Sequence, residues 1–388
     1  MFKLSHKNFD LTTRTLQSKL MHNTMRWFIF GLVFCLCSIV GSVSAEFVLV
    51  KQPKISSNMH IDAKALCRVA NNTQGYLSEH PDDKFAVHAG NNIITKLSLA
   101  RVEETLAFIC SSVSQQQLNQ RTFLLDNFDF YRWYPDKKQA TKLAKQSNNE
   151  VKSRLLNNIP DNQIFLTKYY TKLLKASNQP TDKYNQALYA LPEDEQGLTL
   201  AEAELKRNEL TRFKFTRQEI IEGALLEKHL AQPLIWLTEE ALHDVLLQGT
   251  GVVNVDGKIR YFNVHRNNGI AYDYTLGKRE QARYWYFAEV PSVLGYGKTL
   301  ASKIAIEPEV AFAGNVKTLG LGKLFLVNYL TNGEVQGQLG VLADQGGAFD
   351  NNLFQLDWLK GSYYGWDDYY QANKHLPDYA SAWLLLKK

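Results

Sequence analysis

The sequence has few cysteines, little net charge and no apolar run of membrane-spanning length. Among 388 residues only four are cysteine, and the formal net charge is +5. A balance this small lacks the dense basic surface that nucleic-acid binding requires, so no nucleic-acid partner is expected. No spacing of cysteine with histidine is typical of a metal site, and we predict neither a metal nor another cofactor. Hydrophobic residues at 45% and charged residues at 21% are normal for a folded chain.

The longest apolar run lies near the N-terminus, from Trp27 to Gly41, directly after Arg26. It is shorter than the roughly 20 residues that a helix needs to cross a bilayer. A positive flank, a short apolar run and small residues ending at Ala45 are the parts of a secretory signal peptide. We therefore predict that residues 1–45 are a signal peptide and that the mature chain is periplasmic, soluble or peripheral, with no membrane anchor after cleavage. A retained anchor is the alternative.

Cleavage at that point would leave Cys67 and Cys110 as the remaining cysteines. In an oxidising compartment two such residues can pair only with each other, which favours a disulfide between them. Two buried free thiols are the alternative, because cysteine is also a frequent core residue.

The pattern of apolar residues along the sequence changes near residue 160. Residues 46–160 carry apolar residues at spacings of three and four, which predicts a helical N-terminal region. The remainder is rich in short apolar segments with glycine between them, a pattern typical of a small β-barrel. Asp256-Gly257 supplies the two left-handed positions of a tight turn and predicts a hairpin over residues 252–262.

Two aspartates near the C-terminus stand beside apolar strands. Asp344 precedes Gln345-Gly346-Gly347-Ala348, and Asp357 lies between Leu356 and Trp358. An aspartate inside an apolar strand is unfavourable by propensity. An apolar neighbourhood raises the pKa of a carboxyl group, which suits a general acid at neutral pH. Asp344 also fits a simple turn before two glycines. Asp357 is therefore the candidate catalytic residue.

These aspartates end an ordered series of blocks that resembles the MltA-type membrane-bound lytic murein transglycosylases, whose C-terminal module is called 3D after three aspartates. The blocks are Lys168-Tyr169-Tyr170-Thr171, Ala187–Pro192, Arg217–Leu225, Leu247-Gln248-Gly249-Thr250-Gly251, Asn268–Tyr272, Tyr284–Phe287, Ile304–Pro308, Gly320–Gly322, Asp344–Ala348 and Leu356-Asp357. Together they cover about residues 160–388.

Among the departures from the family pattern, three are replacements of residues. Other departures are a much shorter stretch between Gly277 and Tyr284, two extra residues between the two aspartates and the absence of the usual lipid anchor. Glu307 stands where the first of the three aspartates is expected. Phe349–Asn352 replaces a Lys-Gly pair, and the aromatic run Tyr363–Tyr370 replaces an alanine-glycine segment. We expect these replacements to affect the substrate preference more than the type of reaction.

The resemblance implies a mainly β fold with a helical N-terminal part. A double-psi β-barrel, the 3D domain, would be formed by residues 161–177 and 283–388. A smaller β-rich domain, residues 178–282, would be inserted into it, with a glycan groove between the two.

The resemblance also implies an activity, the cleavage of the β-1,4 bond between MurNAc and GlcNAc in peptidoglycan with formation of a 1,6-anhydromuramyl end. Asp357 would be the acid and base. Substrate-binding or supporting roles would fall to Asp344, Gln248, Gly249, Thr250, Gly251, Tyr170, Thr171, Gly346 and Gly347. Trp358 and Trp366 are candidate groove aromatics, although core packing is the commoner role of such residues.

The expected partners are peptidoglycan glycan strands, and cell-wall or division proteins are further candidates. Two other functions remain open at this point. One is a peptidoglycan-binding or scaffold protein without catalytic activity. The other is a glycoside hydrolase that uses Asp344 and Asp357 as a pair of carboxylates.

Overall fold

A computed structural model describes residues 45–111, 114–346, 349 and 351–388. Apart from Ala45, the predicted signal peptide lies outside these residues, and so does Gly347. In the part of the chain that is described, no helix is both long and apolar enough to cross a membrane.

The fold is mixed, with fourteen strands and twelve α-helices in the described residues. The strands are β1 (Glu46–Val50), β2 (Asn58–Met59), β3 (Phe128–Tyr134), β4 (Ile164–Lys175), β5 (Gln186–Tyr189), β6 (Pro233–Leu237), β7 (Thr250–Val255), β8 (Lys258–Asn267), β9 (Trp285–Val290), β10 (Ala311–Ala313), β11 (Leu324–Thr331), β12 (Glu334–Asp344), β13 (Gln355–Tyr363) and β14 (Tyr379–Lys387). The helices are α1 (Ala63–Glu79), α2 (Leu99–Ser111), α3 (Gln115–Leu118), α4 (Arg121–Asn127), α5 (Lys137–Gln146), α6 (Glu150–Asn157), α7 (Leu200–Leu205), α8 (Arg217–Ile221), α9 (Ala224–Glu227), α10 (Glu239–Gln248), α11 (Val316–Leu319) and α12 (Trp366–Asn373).

Six strands close into a barrel in the order β14, β11, β12, β10, β13, β4, with β4 pairing back to β14. The pairs β10–β12 and β13–β4 are parallel, and the other four are antiparallel. Closure leaves these strands without a free hydrogen-bonding edge. The predicted barrel is thereby confirmed, whereas its double-psi connection stays a prediction.

The barrel interior is filled by aliphatic and aromatic side chains from all six strands. Leu356 and Trp358 of β13 belong to this core, and Trp358 is 1% exposed. The indole N–H of Trp358 donates to the carbonyl of Glu309 at 2.8 Å, which satisfies its one polar group. Trp358 is thus a core residue and does not line a groove.

The spacing of apolar residues predicted a helical N-terminal region, but this region also contains strands. β3 pairs with β14, and β1 pairs with β3, so both extend the barrel sheet. The segment Phe128–Tyr134 favours a strand because it is almost wholly aromatic, and Phe128, Phe130 and Trp133 are buried in the barrel core. α1 and α2 also pack on this core, where a disulfide joins Cys67 to Cys110 with 4.9 Å between their Cα atoms.

A second core lies within residues 174–287 and is built from β5 to β9 and α10. β4 reaches both cores, since Leu166 packs in the barrel and Leu174 packs in the second core. The predicted hairpin is confirmed: β7 pairs with β8, and Asp256 and Gly257 both have positive φ, 50° and 82°. The predicted domain boundaries stay a prediction.

Candidate active site

Three neighbouring barrel strands bring Asp357 and Asp344 to the same face. Asp357 pairs with Ala313 of β10 from one side, and Asp344 pairs with Ala313 from the other. Neighbouring strands lie about 4.8 Å apart, so the two aspartate Cα atoms are separated by about 10 Å. A β-bulge sets this register, because Phe312 pairs with Leu342 while Ala313 pairs with Asp344, skipping Ala343.

Strand alternation explains why an aspartate is tolerated between Leu356 and Trp358. Successive side chains of a strand point to opposite faces, so these two enter the core while Asp357 points away from it. Asp357 is only partly exposed, and its Oδ1 is inaccessible and accepts no hydrogen bond from any described residue. A buried carboxyl oxygen without a partner is costly for stability and is typical of a functional site.

The pKa of Asp357 is raised to about 7, chiefly by burial and also by the nearby charge of Asp344. A hydrogen bond from the Thr167 hydroxyl and the charge of Lys168 oppose the rise. Thr167 is the residue of β4 that pairs with Asp357, and its proton can also be donated to the Leu356 carbonyl, 3.2 Å away. Near neutral pH, Asp357 is therefore able both to give and to accept a proton.

Asp344 differs from Asp357 because both of its carboxyl oxygens accept hydrogen bonds. The Tyr169 hydroxyl donates to Oδ2 at 3.0 Å, and the backbone N–H of Gln345 donates to Oδ1 at 2.8 Å. Burial raises the pKa of Asp344 to about 6, and these hydrogen bonds and the charge of Lys303 oppose that rise. These two donors favour the ionised form of Asp344 and fix the orientation of its carboxyl group.

The sequence-based site prediction named Tyr170 and Thr171 of β4, but the neighbouring Tyr169 is the residue that contacts Asp344. Tyr170 lies on the other face of the strand and stacks on Tyr369 with 4.5 Å between ring centroids. The Thr171 hydroxyl contacts the Ser362 hydroxyl of β13 at 2.6 Å. Successive side chains of a strand point to opposite faces of the sheet, so the adjacent residues Tyr169 and Tyr170 could have been assigned to opposite faces from the sequence.

The block from Gln248 to Gly251 connects α10 to β7. Gly249 ends α10 in the left-handed region at φ 73°, and a Cβ on Gly251 would meet Val245 at 3.3 Å. The Thr250 hydroxyl accepts from Asn263 at 3.0 Å. Gln248 is exposed, and its side-chain oxygen accepts from the backbone N–H of Lys172 at 3.3 Å. The glycines therefore serve packing, and Gln248 is the residue of the block that is available to a ligand.

Comparison with known proteins shows a family model that is similar to part of the chain. Residues 165–279 match the family model described as the MltA specific insert domain. These residues are therefore similar to an MltA insert domain. The resemblance predicted from the ordered blocks is thereby confirmed.

Two solved structures show the same fold at low sequence identity. A membrane-bound lytic murein transglycosylase from Agrobacterium tumefaciens is 17% identical, with a TM-score of 0.53 over 88% of this chain and 98% of that one. MltA from Neisseria gonorrhoeae is 15% identical, with a TM-score of 0.52 over 89% of this chain and 92% of that one. No curated protein sequence matches the chain.

Glu307, the first departure from the MltA pattern, is engaged away from the acid pair. Arg68 of α1 binds it through two hydrogen bonds, 2.5 Å from Nε and 2.8 Å from Nη2. The pKa shifts of Asp344 and Asp357 have no contribution from Glu307. Glu307 therefore ties α1 to the barrel.

The second departure, the loop after Ala348, supports the site indirectly. The Asn352 amide donates to Gln355 at 2.8 Å, and the Gln355 amide donates to the Thr167 hydroxyl at 2.7 Å. Phe349 is buried, and a Cβ added at Gly346 would collide with its ring. Gly346 is thus needed for packing of this loop, and the loop in turn holds Thr167 beside Asp357.

The third departure, the aromatic run, forms the end of β13 and the start of α12. Tyr369 contacts Tyr170, Tyr363 and Trp366. Burial raises the pKa of Tyr369 to about 12, and the charge of Asp357 contributes, which places this cluster near the acid. Trp366 is 64% exposed and stacks on Tyr370 at 6.0 Å. Of this cluster, sequence reasoning named Tyr170 and Trp366 as candidate site residues.

In the described residues no group of three or more histidine, cysteine, aspartate or glutamate side chains is arranged to hold a metal ion.

Proposed function

We propose that this protein is a periplasmic lytic transglycosylase that cleaves the β-1,4 bond between MurNAc and GlcNAc in peptidoglycan and leaves a 1,6-anhydromuramyl end. The observation that carries the proposal is the state of Asp357, whose pKa is about 7 and whose Oδ1 has no partner among the described residues. The MltA insert domain and the fold shared with lytic transglycosylases support it.

In the proposed reaction, Asp357 protonates the glycosidic oxygen as the bond from that oxygen to C1 of MurNAc breaks. The hydroxyl on C6 of the same MurNAc then forms a bond to C1, and its proton passes to the Asp357 carboxylate. The acid is regenerated, and no water is consumed. One carboxyl group is sufficient because an intramolecular nucleophile has a high effective concentration and needs no positioned water.

Asp344 would stabilise the positive charge that develops at the sugar ring. It suits this role because hydrogen bonds from Tyr169 and from the backbone of Gln345 favour its ionised form and hold it in place. The same hydrogen bonds argue against a hydrolase that uses both carboxylates. Such an enzyme needs the second carboxylate to activate water or to attack the sugar, whereas both Asp344 oxygens already accept hydrogen bonds.

Digestion of purified peptidoglycan followed by mass spectrometry of the products tests the proposal. Muropeptides one water lighter than hydrolytic products are expected. Products of full hydrolytic mass would identify a hydrolase instead. No products would favour a protein that binds the glycan without cutting it.

Two substitutions beside Asp357 should shift the pH profile of cleavage in opposite directions. The reaction needs protonated Asp357, so kcat/KM should fall as pH rises through its pKa. Thr167→Val removes a hydrogen bond that lowers the pKa and should move the alkaline limb to higher pH. Asp344→Asn removes a negative charge that raises the pKa and should move this limb to lower pH. Shifts in the same direction for both variants would show that another group sets the limb.

Glu307→Gln should leave cleavage within about twofold of the native rate and lower the free energy of unfolding by less than about 1 kcal/mol, since surface ion pairs contribute little. Arg68→Gln is the matched control, because it removes the other half of the same pair. Rate and denaturant measurements on both variants check this. A large loss of rate in Glu307→Gln alone would place Glu307 in the site.

A further inference from the structure

A cavity of about 280 Å³ in the second core region is lined by cationic and aromatic side chains. Its lining includes Arg217, Lys278, Arg283, Tyr272, Tyr274 and Trp285, and none of its lining residues is acidic. Concave sites with converging polar groups and aromatic walls are the usual form of a ligand site.

Arg217 forms the buried part of this cavity and is 5% exposed. Its guanidinium donates to the carbonyls of Arg283 at 2.8 Å and Lys278 at 2.9 Å. Among the described residues no carboxylate forms an ion pair with it. A buried arginine without a carboxylate is costly unless an anion compensates it.

Arg283 adds a second cation to the same wall. Its guanidinium lies over the ring of Trp285, 4.5 Å from the centroid, and its buried Nε–H donates to no acceptor among the described residues. An arginine stacked on an aromatic ring is preorganised to bind a planar anion such as a carboxylate.

Acidic side chains in the segments that form the cavity are engaged by other groups. Asp273, between Tyr272 and Tyr274, accepts from the backbone N–H of Thr275 at 2.8 Å. Glu280 accepts from the backbone N–H of Gly277 at 2.7 Å, and Glu239 lies 3.6 Å from His243. Burial lowers the pKa of His243, and the charges of Arg217 and Arg279 lower it further, while Glu239 opposes them. The lining itself thus carries three cationic side chains, Arg217, Lys278 and Arg283, and no carboxylate.

We infer that this cavity binds carboxylates of the peptide stems of peptidoglycan, an inference that rests on the proposed function. The stem carries free side-chain and terminal carboxylates, whereas the amino-sugar backbone carries none once the stem is attached. Leu246 and Leu247 of the cavity directly precede Gln248, which accepts from Lys172 of β4. β4 also carries Tyr169, so the cavity and the acid pair are connected through one strand.

Binding to the full-length Asp357→Asn variant, which prevents turnover, tests this inference by calorimetry. The probes are soluble GlcNAc–MurNAc bearing a tetrapeptide and the peptide-free disaccharide whose lactyl carboxyl group is capped as a simple amide, so that it carries no carboxylate. Adding Arg283→Gln should weaken binding of the tetrapeptide probe about tenfold, the size of one charge-assisted hydrogen bond, and leave the peptide-free probe unchanged. Lys278→Met should weaken the tetrapeptide probe in the same direction. Arg121→Gln is the control with the same chemical change as Arg283→Gln: Arg121 is exposed on α4, does not line the cavity, and its replacement should change binding less than twofold.

Equal weakening of both probes, or tetrapeptide binding that survives both Arg283→Gln and Lys278→Met, would overturn the inference. Inorganic phosphate that binds as tightly as the tetrapeptide probe would identify a general anion site and also overturn it. Failure of the proposed function is separate, because it appears in the product masses. A protein that yields no anhydro products but loses tetrapeptide binding on Arg283→Gln keeps the stem site without the reaction.

Discussion

Asp357→Asn is expected to lower the rate of glycan cleavage by about a thousandfold, within the range that proton transfer by a positioned side chain contributes. Asparagine keeps the size of the side chain but cannot protonate the glycosidic oxygen. The rate of release of soluble muropeptides from purified peptidoglycan measures the effect.

Asp367→Asn is the matched control for this loss. Asp367 is an exposed acid on α12, a short distance along the chain from Asp357, and its replacement is the same chemical change. Its rate should stay within about twofold of the native protein. A normal rate in Asp357→Asn would remove Asp357 from the catalytic role.

The same Asp357→Asn substitution is expected to stabilise the fold at pH 8 by about 2 kcal/mol and to have little effect at pH 4. The folded pKa is about 7, above the ordinary value of 3.8, so ionisation is unfavourable in the folded state. The free energy of unfolding of the native protein therefore decreases, through the ionisation of Asp357, as pH rises from about 4 through 7. Each pKa unit corresponds to about 1.4 kcal/mol, and partial exposure reduces the total.

Denaturant unfolding of the native protein, Asp357→Asn and Asp367→Asn at the two pH values measures this gain. Asp367→Asn, an exposed position, is the comparison against which the gain of Asp357→Asn is measured. A stability difference for Asp357→Asn that is equal at pH 4 and pH 8 would show that the carboxyl is not buried in the folded state as described.

Local sequence patterns predicted the parts of this fold that depend on nearby residues. The Asp256-Gly257 turn identified the β7–β8 hairpin because only a few residues permit positive φ at both positions. An aspartate between two core side chains identified Asp357, since strand alternation turns it away from the core. The glycine-punctuated strands indicated a barrel, and the ordered blocks identified the MltA resemblance.

The features that were missed depend on pairing between distant segments. The spacing of apolar residues predicted helices in the region that contains β1 and β3. The aromatic side chains of this region instead favour strands, because they are buried where β3 pairs with β14. The bulge that aligns Asp344 with Ala313 follows from register with β10 and has no local signature. Arg68 and Glu307 are 239 residues apart in the sequence, so the ion pair between them could not be predicted from the residues next to Glu307.

The most direct measurement of the central claim is digestion of peptidoglycan in water enriched in heavy oxygen, followed by mass spectrometry of the new muramyl ends. If Asp357 alone transfers the proton and the sugar's own C6 hydroxyl attacks, the products are anhydro ends that carry no label. Muramyl ends that carry heavy oxygen would show that water is the nucleophile and would contradict the single-carboxylate account.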